Sequence, residues 1–554
     1  MPRKVFRGAA SQSCETCRKS KRRCDQTRPY CLRCKRTGKK CSGVPLGIPL
    51  RILDETELVL RKAKHEPLPD CFANFSITYP TVHISEEPRE YFDEIALKYF
   101  HQCFLGDAHT WPFLHGAQLS QEPLVRSAMQ ACGMATLYNS QNVSGGREQH
   151  ILMHSRTIRF LERALDHPTD CKSDSVLTAV ALLGFYDNLT CEDSDVAESW
   201  RAHVSAASKL VQLRGKEQLR SAIGRALYRE LRSQLLIDCL WADRRPTSFL
   251  IEWQDELSRE TPMEERQDFA PSDALHSIVL DFADLRFQMR ECMVTPADAL
   301  GQLANLARQA DAWARETAKL GEAWQITSDH HKDCTGEVWV GLAHRYSNNA
   351  VAATWNSYRT LRIMLTRAQE IMVLHRADQS SDDLANQIAA LRKARKFFTD
   401  EICASVPSQL GHLPLRGSKE TTSALYTAFA LIWPLFFAAT CALDQVGEHV
   451  QHATSASHTS SQSSADTDQA SVAVAQASWL INRLSHISNG IGLKWAGGFI
   501  EVLHGDFRVF QTYILPEKDG ENASKTRGPK LLLERDLQAI HSAFKGLRQG
   551  PANN

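Results

Sequence analysis

From about residue 85 onward, apolar residues recur three and four positions apart in one segment after another. In EYFDEIALKYFHQCF the residues Tyr91, Phe92, Ile95, Tyr99, Phe100, Cys103 and Phe104 form such a stripe. This is the period of a helix that turns one face to a core. The same period predicts helices over roughly 123–138, 152–166, 175–189, 197–214, 219–241, 273–292, 297–319, 347–376 and 384–404. Alternating strand patterns are scarce, so residues 85–515 are expected to form an all-α body. The run Thr421–Leu443 holds 23 residues without a charge, long enough for a membrane-spanning helix. Its several Thr and Ser residues, Pro434 mid-run and the lack of a clear Lys/Arg asymmetry at its ends favour a buried central helix kinked at Trp433-Pro434; no membrane partner is expected. A Ser/Thr/Gln/Ala-rich stretch at about 448–470 lacks the apolar surface to offset ordering entropy and is expected to be a disordered insertion. Helical patterning resumes at SVAVAQASWLINRLSHI. Residues 516–554 are read as one more helix, LLLERDLQAIHSAFKGL, and a polar tail.

Ahead of this body the pattern is different. Residues 1–13 read as a basic arm and 42–84 as a linker, broken by Ser42, Gly43, Pro45, Gly47 and Pro49. Within the linker, ILDETELVLRKAK predicts one short helix. Its apolar positions do not persist over the three or four heptads that a coiled coil requires, so a homodimer stays open.

Between these lie 28 residues, Cys14 to Cys41, that read C-x2-C-x6-C, a six-residue loop, and C-x2-C-x6-C again. A C-x2-C pair brings two thiolates to one metal, and zinc takes four ligands tetrahedrally with Zn–S near ~2.3 Å. Cys14, Cys17, Cys24, Cys31, Cys34 and Cys41 could complete one site with two thiols to spare. They could also serve two Zn2+ ions if two sulfurs bridge. The internal duplication nominates Cys14 and Cys31 as the bridges, giving one ion Cys14, Cys17, Cys24 and Cys31 and the other Cys31, Cys34, Cys41 and Cys14. A disulfide framework is the remaining reading. It needs an oxidising compartment, and MPRKVFRGAASQS has no apolar export segment. Buried structural thiols are excluded by the charged residues interleaved among the cysteines.

Charge adds a second asymmetry. Residues 1–43 carry fourteen Lys/Arg and two Asp/Glu, a balance of +12; the rest of the chain carries 51 and 62, a balance of −11. A small basic head on a mildly acidic body is the footprint of nucleic-acid binding. The other ten cysteines stand singly in apolar or helical contexts, as reduced thiols of a cytosolic or nuclear protein do.

Cysteine spacing, Pro29 two residues before Cys31, Asp25 after Cys24 and the basic run Arg18–Arg23 together resemble the fungal binuclear zinc cluster transcription factors. Ser20 stands where that run is often basic. The resemblance implies two Zn2+ ions and a short helix whose N-terminal region enters the major groove of double-stranded DNA. It places Lys21 against the guanine edges of a CGG half-site, and lysine can donate to guanine O6 and N7. Arg18, Lys19, Arg22, Arg23, Lys35 and Arg36 are then phosphate contacts that hold register without reading sequence. The run from Lys19 to Arg23 would also serve a nuclear import receptor. The body resembles the fungal-specific transcription factor regulatory domain, chiefly in SVLTAVALLGFYDNL and SWRAHVSAASKLVQLRG. Ser205 and Ala206 stand there where Gly-Ala is usual, and Trp200 and His203 are expected to be a packed core pair. By this resemblance the protein is nuclear and works with transcription machinery or coactivators at RNA polymerase II genes. Activation is the family default, and members of this size often govern a single biosynthetic gene cluster. A general nucleic-acid binder acting on RNA, or a helical scaffold, are the other readings.

An enzyme is not expected. Asp329, His330, His331, Asp333 and Cys334 form a DHHKDC cluster, but neighbours on a loop seldom point at one centre, and no H-E-x-x-H, P-loop or G-x-S-x-G pattern occurs. Four-thiolate zinc sites are closed to substrate.

Overall fold

The stripe that begins at Phe92 folds as a helix, Arg89–Phe104, whose Phe92, Ala96, Phe100 and Phe104 are buried. The structure, a computed structural model, describes residues 15–20, 24–25, 31–39, 41, 89–105, 111–143, 145–190, 196–331, 336–375, 382–417, 425–456 and 464–504. The short helix expected in the linker and the one expected near the C-terminus fall outside them. The chain divides into two compact units, Met1–Asp54 and Glu55–Asn554.

The first unit contributes two five-residue helices, α1 (Glu15–Lys19) and α2 (Leu32–Arg36). In the second unit the main elements follow as α3 (Arg89–Phe104), α4 (Pro123–Gln141), α5 (Gly146–Leu165), α6 (Asp174–Thr190), α7 (Val196–Arg214) and α8 (Ala222–Ala242). Then come α9 (Met263–Arg290), α10 (Pro296–Thr317), the strands β1 (Thr327–His330) and β2 (Leu342–Arg345), and α11 (Asn349–His375). The series ends with α12 (Asp382–Gln409), α13 (Leu425–Ala456), α14 (Ser464–Ser485) and α15 (Trp495–Leu503). The helical period in the sequence located most of these within a few residues. Ser221 caps α8 by accepting from the Gly224 amide at 2.9 Å. Thr295, ahead of Pro296, caps α10 by accepting from the Asp298 amide at 3.2 Å. Such caps satisfy amides that have no partner within the helix.

Helices α6 and α13 are apolar nearly all round and lie in the middle of the body, as an all-round apolar helix must. The uncharged run is a core segment: 72 % of the most apolar window in Leu425–Gly447 is buried inside the protein. Pro434 sits within α13. Trp200 is buried against Trp495, with ring centroids 5.6 Å apart. His203 is only half-buried and meets the Asp187 carboxylate at 3.0 Å. The two therefore have different neighbours.

Helices α3 and α4 pack backbone to backbone. A Cβ added at Gly133 would lie 2.0 Å from the Ala96 carbonyl oxygen, so only glycine allows this approach. Gly133→Ala is expected to destabilise the body by about 1–3 kcal/mol despite its better helix propensity, measurable as a lower urea midpoint.

Two expectations are corrected. The stretch 448–470 is helical at 448–456, where α13 continues, and at 464–470, where α14 begins; 457–463 lie outside the described residues. Once a helix is nucleated by a buried segment, each further residue costs little, and the Ala-containing flanks extend it. The DHHKDC cluster is not wholly loop. Asp329 and His330 belong to β1, antiparallel to β2 with Asp329 opposite Ala343 and His330 opposite Leu342. The Asp329 carboxylate pairs with Arg345 at 2.6 Å. A four-residue strand is too short to show a period, and its partner is more than ten residues away. Asp333 and Cys334 lie outside the described residues.

Candidate metal centre and nucleic-acid interface

The duplicated cysteine spacing reappears as duplicated backbone. Helix α1 starts one residue after Cys14 and α2 one residue after Cys31. Cys31 is the N-cap of α2, with extended backbone, and its sulfur accepts from the Cys34 amide at 3.3 Å. The Cys31 amide in turn donates to Cys41 Sγ at 3.4 Å. Amide N–H groups and a helix N-terminus both favour the thiolate over the thiol.

Asp25 supplies a second brace. Its two carboxylate oxygens accept from the Leu32 amide at 3.0 Å and the Arg33 amide at 2.7 Å, capping α2 from a distant point in the chain. The sequence showed Asp25 only as a family habit. Its capping role needs the fold of the intervening loop and was not legible. At the other end, Gly38 adopts φ +64° and lets the chain turn so that the Lys39 amide meets the Cys34 carbonyl at 3.0 Å.

The thiols converge. Cys17, Cys31 and Cys34 are almost fully buried, Cys24 is buried and Cys41 half-buried, and together they are the hydrophobic cluster of this unit among the described residues. Their sulfurs form two trios, Cys17–Cys24–Cys31 and Cys31–Cys34–Cys41, each within 4.8 Å, and Cys31 belongs to both. Cys17 Sγ is 3.7 Å from Cys31 Sγ and 3.8 Å from Cys34 Sγ. A disulfide requires about 2.05 Å, and the described cysteines form none. The edge of a ZnS4 tetrahedron with 2.3 Å bonds is about 3.8 Å, which the Cys17–Cys31 separation matches, whereas Cys17 and Cys34 belong to different trios. The donor set and its spacing fit zinc. Cys14, the other nominated bridge, lies outside the described residues.

Of the basic residues, Lys19 at the end of α1 and Lys35 and Arg36 on α2 are exposed. Arg18 lies on α1. Lys21, Arg22 and Arg23 fall outside the described residues. Arg33, Lys35 and Arg36 also sit in the last turn of α2, where positive charge complements the helix dipole.

Two family descriptions match the chain. Residues 12–46 match the "Fungal Zn(2)-Cys(6) binuclear cluster domain". Residues 74–485, well over half the chain, match the "Fungal specific transcription factor domain". The chain belongs to the fungal zinc cluster transcription factors. Among curated relatives, the aspercryptin biosynthesis cluster-specific transcription regulator atnN of Emericella nidulans is 25% identical over 405 residues, covering 68% of this chain and 61% of that protein. An uncharacterized protein of the same organism is 24% identical over 212 residues, covering 36% of this chain and 44% of that protein. The chain thus spans under two thirds of the length of each. No solved structure matches. The matched families agree with the fold expected from sequence, a small N-terminal zinc cluster followed by a large all-α body.

Proposed function

We propose that this protein is a nuclear, sequence-specific transcription factor whose zinc cluster reads CGG-type sites in double-stranded DNA. The observation that carries the reading is the sharing of Cys31 by two thiol trios in a unit whose described core is cysteine. Two Zn2+ ions would be held by Cys14, Cys17, Cys24, Cys31, Cys34 and Cys41, with Cys14 and Cys31 bridging. The metal supplies no catalysis here. When bound, it would tie α1 and α2 together through their cysteines into one body that a groove can accept.

On this reading Lys21 donates to guanine edges, while Arg18, Lys19, Arg22, Arg23, Lys35 and Arg36 neutralise phosphates. Phosphate contacts set affinity and its salt dependence; base contacts set specificity. The helical body would then control activity and association with coactivators, and the basic run would also engage a nuclear import receptor. The printed role of the atnN relative supports a regulator, by family default an activator, of one biosynthetic gene cluster.

Gel shifts at matched salt test this, using a CGG-bearing duplex, a scrambled duplex and single-stranded RNA. Preference for the CGG duplex is expected; equal binding to RNA would replace the reading with a general nucleic-acid binder. Lys21→Ala is expected to weaken CGG binding by about 1–3 kcal/mol with zinc content unchanged. Lys35→Ala should weaken all duplexes alike and lower the salt slope by about one.

A further inference from the structure

In the basic run of the head, RKSKRR, one residue is uncharged. Ser20 has Arg18 and Lys19 before it and Lys21, Arg22 and Arg23 after it. It stands one residue beyond α1 and is exposed. Its amide donates to the Thr16 carbonyl at 3.2 Å. Its hydroxyl donates to the same carbonyl at 2.8 Å and to the Cys17 carbonyl at 3.2 Å. The hydroxyl thus closes the end of α1, where carbonyls lack partners within the helix.

The second half of the motif repeats the arrangement. Thr37, three residues after Cys34 as Ser20 is after Cys17, donates its hydroxyl to the Arg33 carbonyl at 2.9 Å and the Cys34 carbonyl at 3.4 Å. Capping alone does not require a neutral residue, because a lysine side chain also reaches the last carbonyls of a helix and would add attraction for DNA. What a hydroxyl offers and an ammonium does not is an acceptor for a phosphoryl group. Basic flanks on both sides complement a kinase whose substrate cleft is acidic. The chain turns back directly behind Thr37, with Gly38 at φ +64° and the Lys39 amide held by the Cys34 carbonyl at 3.0 Å. Ser20 instead leads into Lys21, Arg22 and Arg23, the run that the DNA reading sets against the duplex.

We propose that Ser20 is a phosphorylation site through which a basic-directed protein kinase releases the head from DNA. The γ-phosphoryl group of ATP passes to Ser20 Oγ, the bond to ADP breaks, and the hydroxyl proton leaves to the base of the kinase. The modified serine carries a charge of about −1.5 to −2 at neutral pH. Its ester oxygen can no longer donate to the Thr16 and Cys17 carbonyls, and those carbonyls repel the anionic oxygens, so the last turn of α1 opens. The new charge follows Lys19 and precedes Lys21 in the chain. It cancels about two of the cations that would release counterions from DNA. The switch rests on the DNA reading proposed above.

The test compares three full-length chains: unmodified, carrying phosphoserine in place of Ser20, and Ser20→Ala. Gel shifts use the CGG-bearing and scrambled duplexes over a salt series. The phosphorylated chain is expected to bind both duplexes roughly 10- to 100-fold more weakly near physiological salt, with the salt slope lowered by about two and zinc content unchanged. Ser20→Ala loses the hydroxyl bonds without gaining charge and should stay within about threefold of the unmodified chain. Incubation of the unmodified chain with ATP and protein kinase C should place phosphate on Ser20, read by mass spectrometry. Phosphate absent from Ser20 would overturn the site. A phosphorylated chain that binds the CGG duplex as tightly as the unmodified one would overturn the switch and leave the DNA reading intact. An unmodified chain without preference for that duplex fails the DNA reading, and the switch with it. Zinc loss on phosphorylation, or an equal loss of affinity in Ser20→Ala, would overturn the charge mechanism.

Discussion

If the cluster holds two zinc ions and reads CGG sites as proposed, replacing Cys31 by alanine is expected to release both ions at once and to reduce DNA binding to its non-specific level. Cys31 is the one described thiol common to both trios, and it also caps α2 and receives the Cys34 amide. The described residues of the unit it serves form two helices of five residues around a core of cysteines. Isolated helices of that length are unstable in water, so the metal must supply the folding energy. Apparent free energies for structural zinc run to about 10–16 kcal/mol, far beyond what the few remaining contacts offer. Specific affinity is expected to fall by at least about 10³-fold, the usual gap between specific and non-specific binding. Native mass spectrometry should read two ions in the wild type, none in Cys31→Ala, and one in Cys24→Ala, since Cys24 belongs to one trio only. A Cys31→Ala chain that kept one ion and shifted CGG duplex would refute the bridging role.

The second large effect is expected deep in the helical body. Arg359 is 2 % exposed on α11. Its guanidinium donates to Tyr346 Oη at 2.7 Å, Asn356 Oδ1 at 2.8 Å and Glu401 Oε2 at 3.1 Å. It ties the residue after β2 to α11 and α12. Burial pushes the Glu401 carboxyl up, but His344 and Arg359 more than offset this and hold it at about 2. Arg359→Ala leaves that carboxylate with His344 at 3.3 Å, takes the donor from Tyr346 Oη and Asn356 Oδ1, and is expected to cost about 1–3 kcal/mol at neutral pH. The sign with pH follows from linkage. In the wild type the depressed pKa of Glu401 contributes stability that is complete above its unfolded value and lost as pH falls toward about 2. In the variant the half-buried carboxyl, with His344 as its remaining partner, takes up a proton at higher pH than in the wild type, which removes part of the penalty. The difference between the two chains should therefore narrow from pH 7 to pH 4 in urea titrations. An equal gap at both values would show that lost packing, and not the lost ion pair, dominates.

The buried arginines illustrate what sequence did not disclose. Arg225, Arg229 and Arg232 lie along one face of α8, and all three are buried. Arg229 and Arg232 meet Asp273 at 3.0 and 2.6 Å, and Arg225 meets Glu265. Burial raises the Asp273 carboxyl, but Arg232 and Arg229 hold it below its ordinary range. By residue type alone such arginines read as solvent-facing, because only a partner more than thirty residues away makes their burial tolerable. Helices, in contrast, were legible because their period is local: the stripe from Phe92 to Phe104 needs no knowledge of what it packs on.

By itself the sequence determined the order of the parts: a metal-organised basic head, then a long all-α body. Both follow from short-range regularities, namely the ligand spacing of C-x2-C pairs and the helical recurrence of apolar residues. The duplicated spacing had already nominated Cys31 as a shared ligand, and the structure sets it between two thiol trios; tertiary structure alone decided that Asp25 caps α2, that Arg359 meets Tyr346 and Glu401, and that β1 finds β2. It also decided that helices α8, α9, α11 and α13 leave a small space between them. Each of these depends on distances between residues that are not sequence neighbours. Such distances are set by how whole elements pack, and no local pattern carries that information.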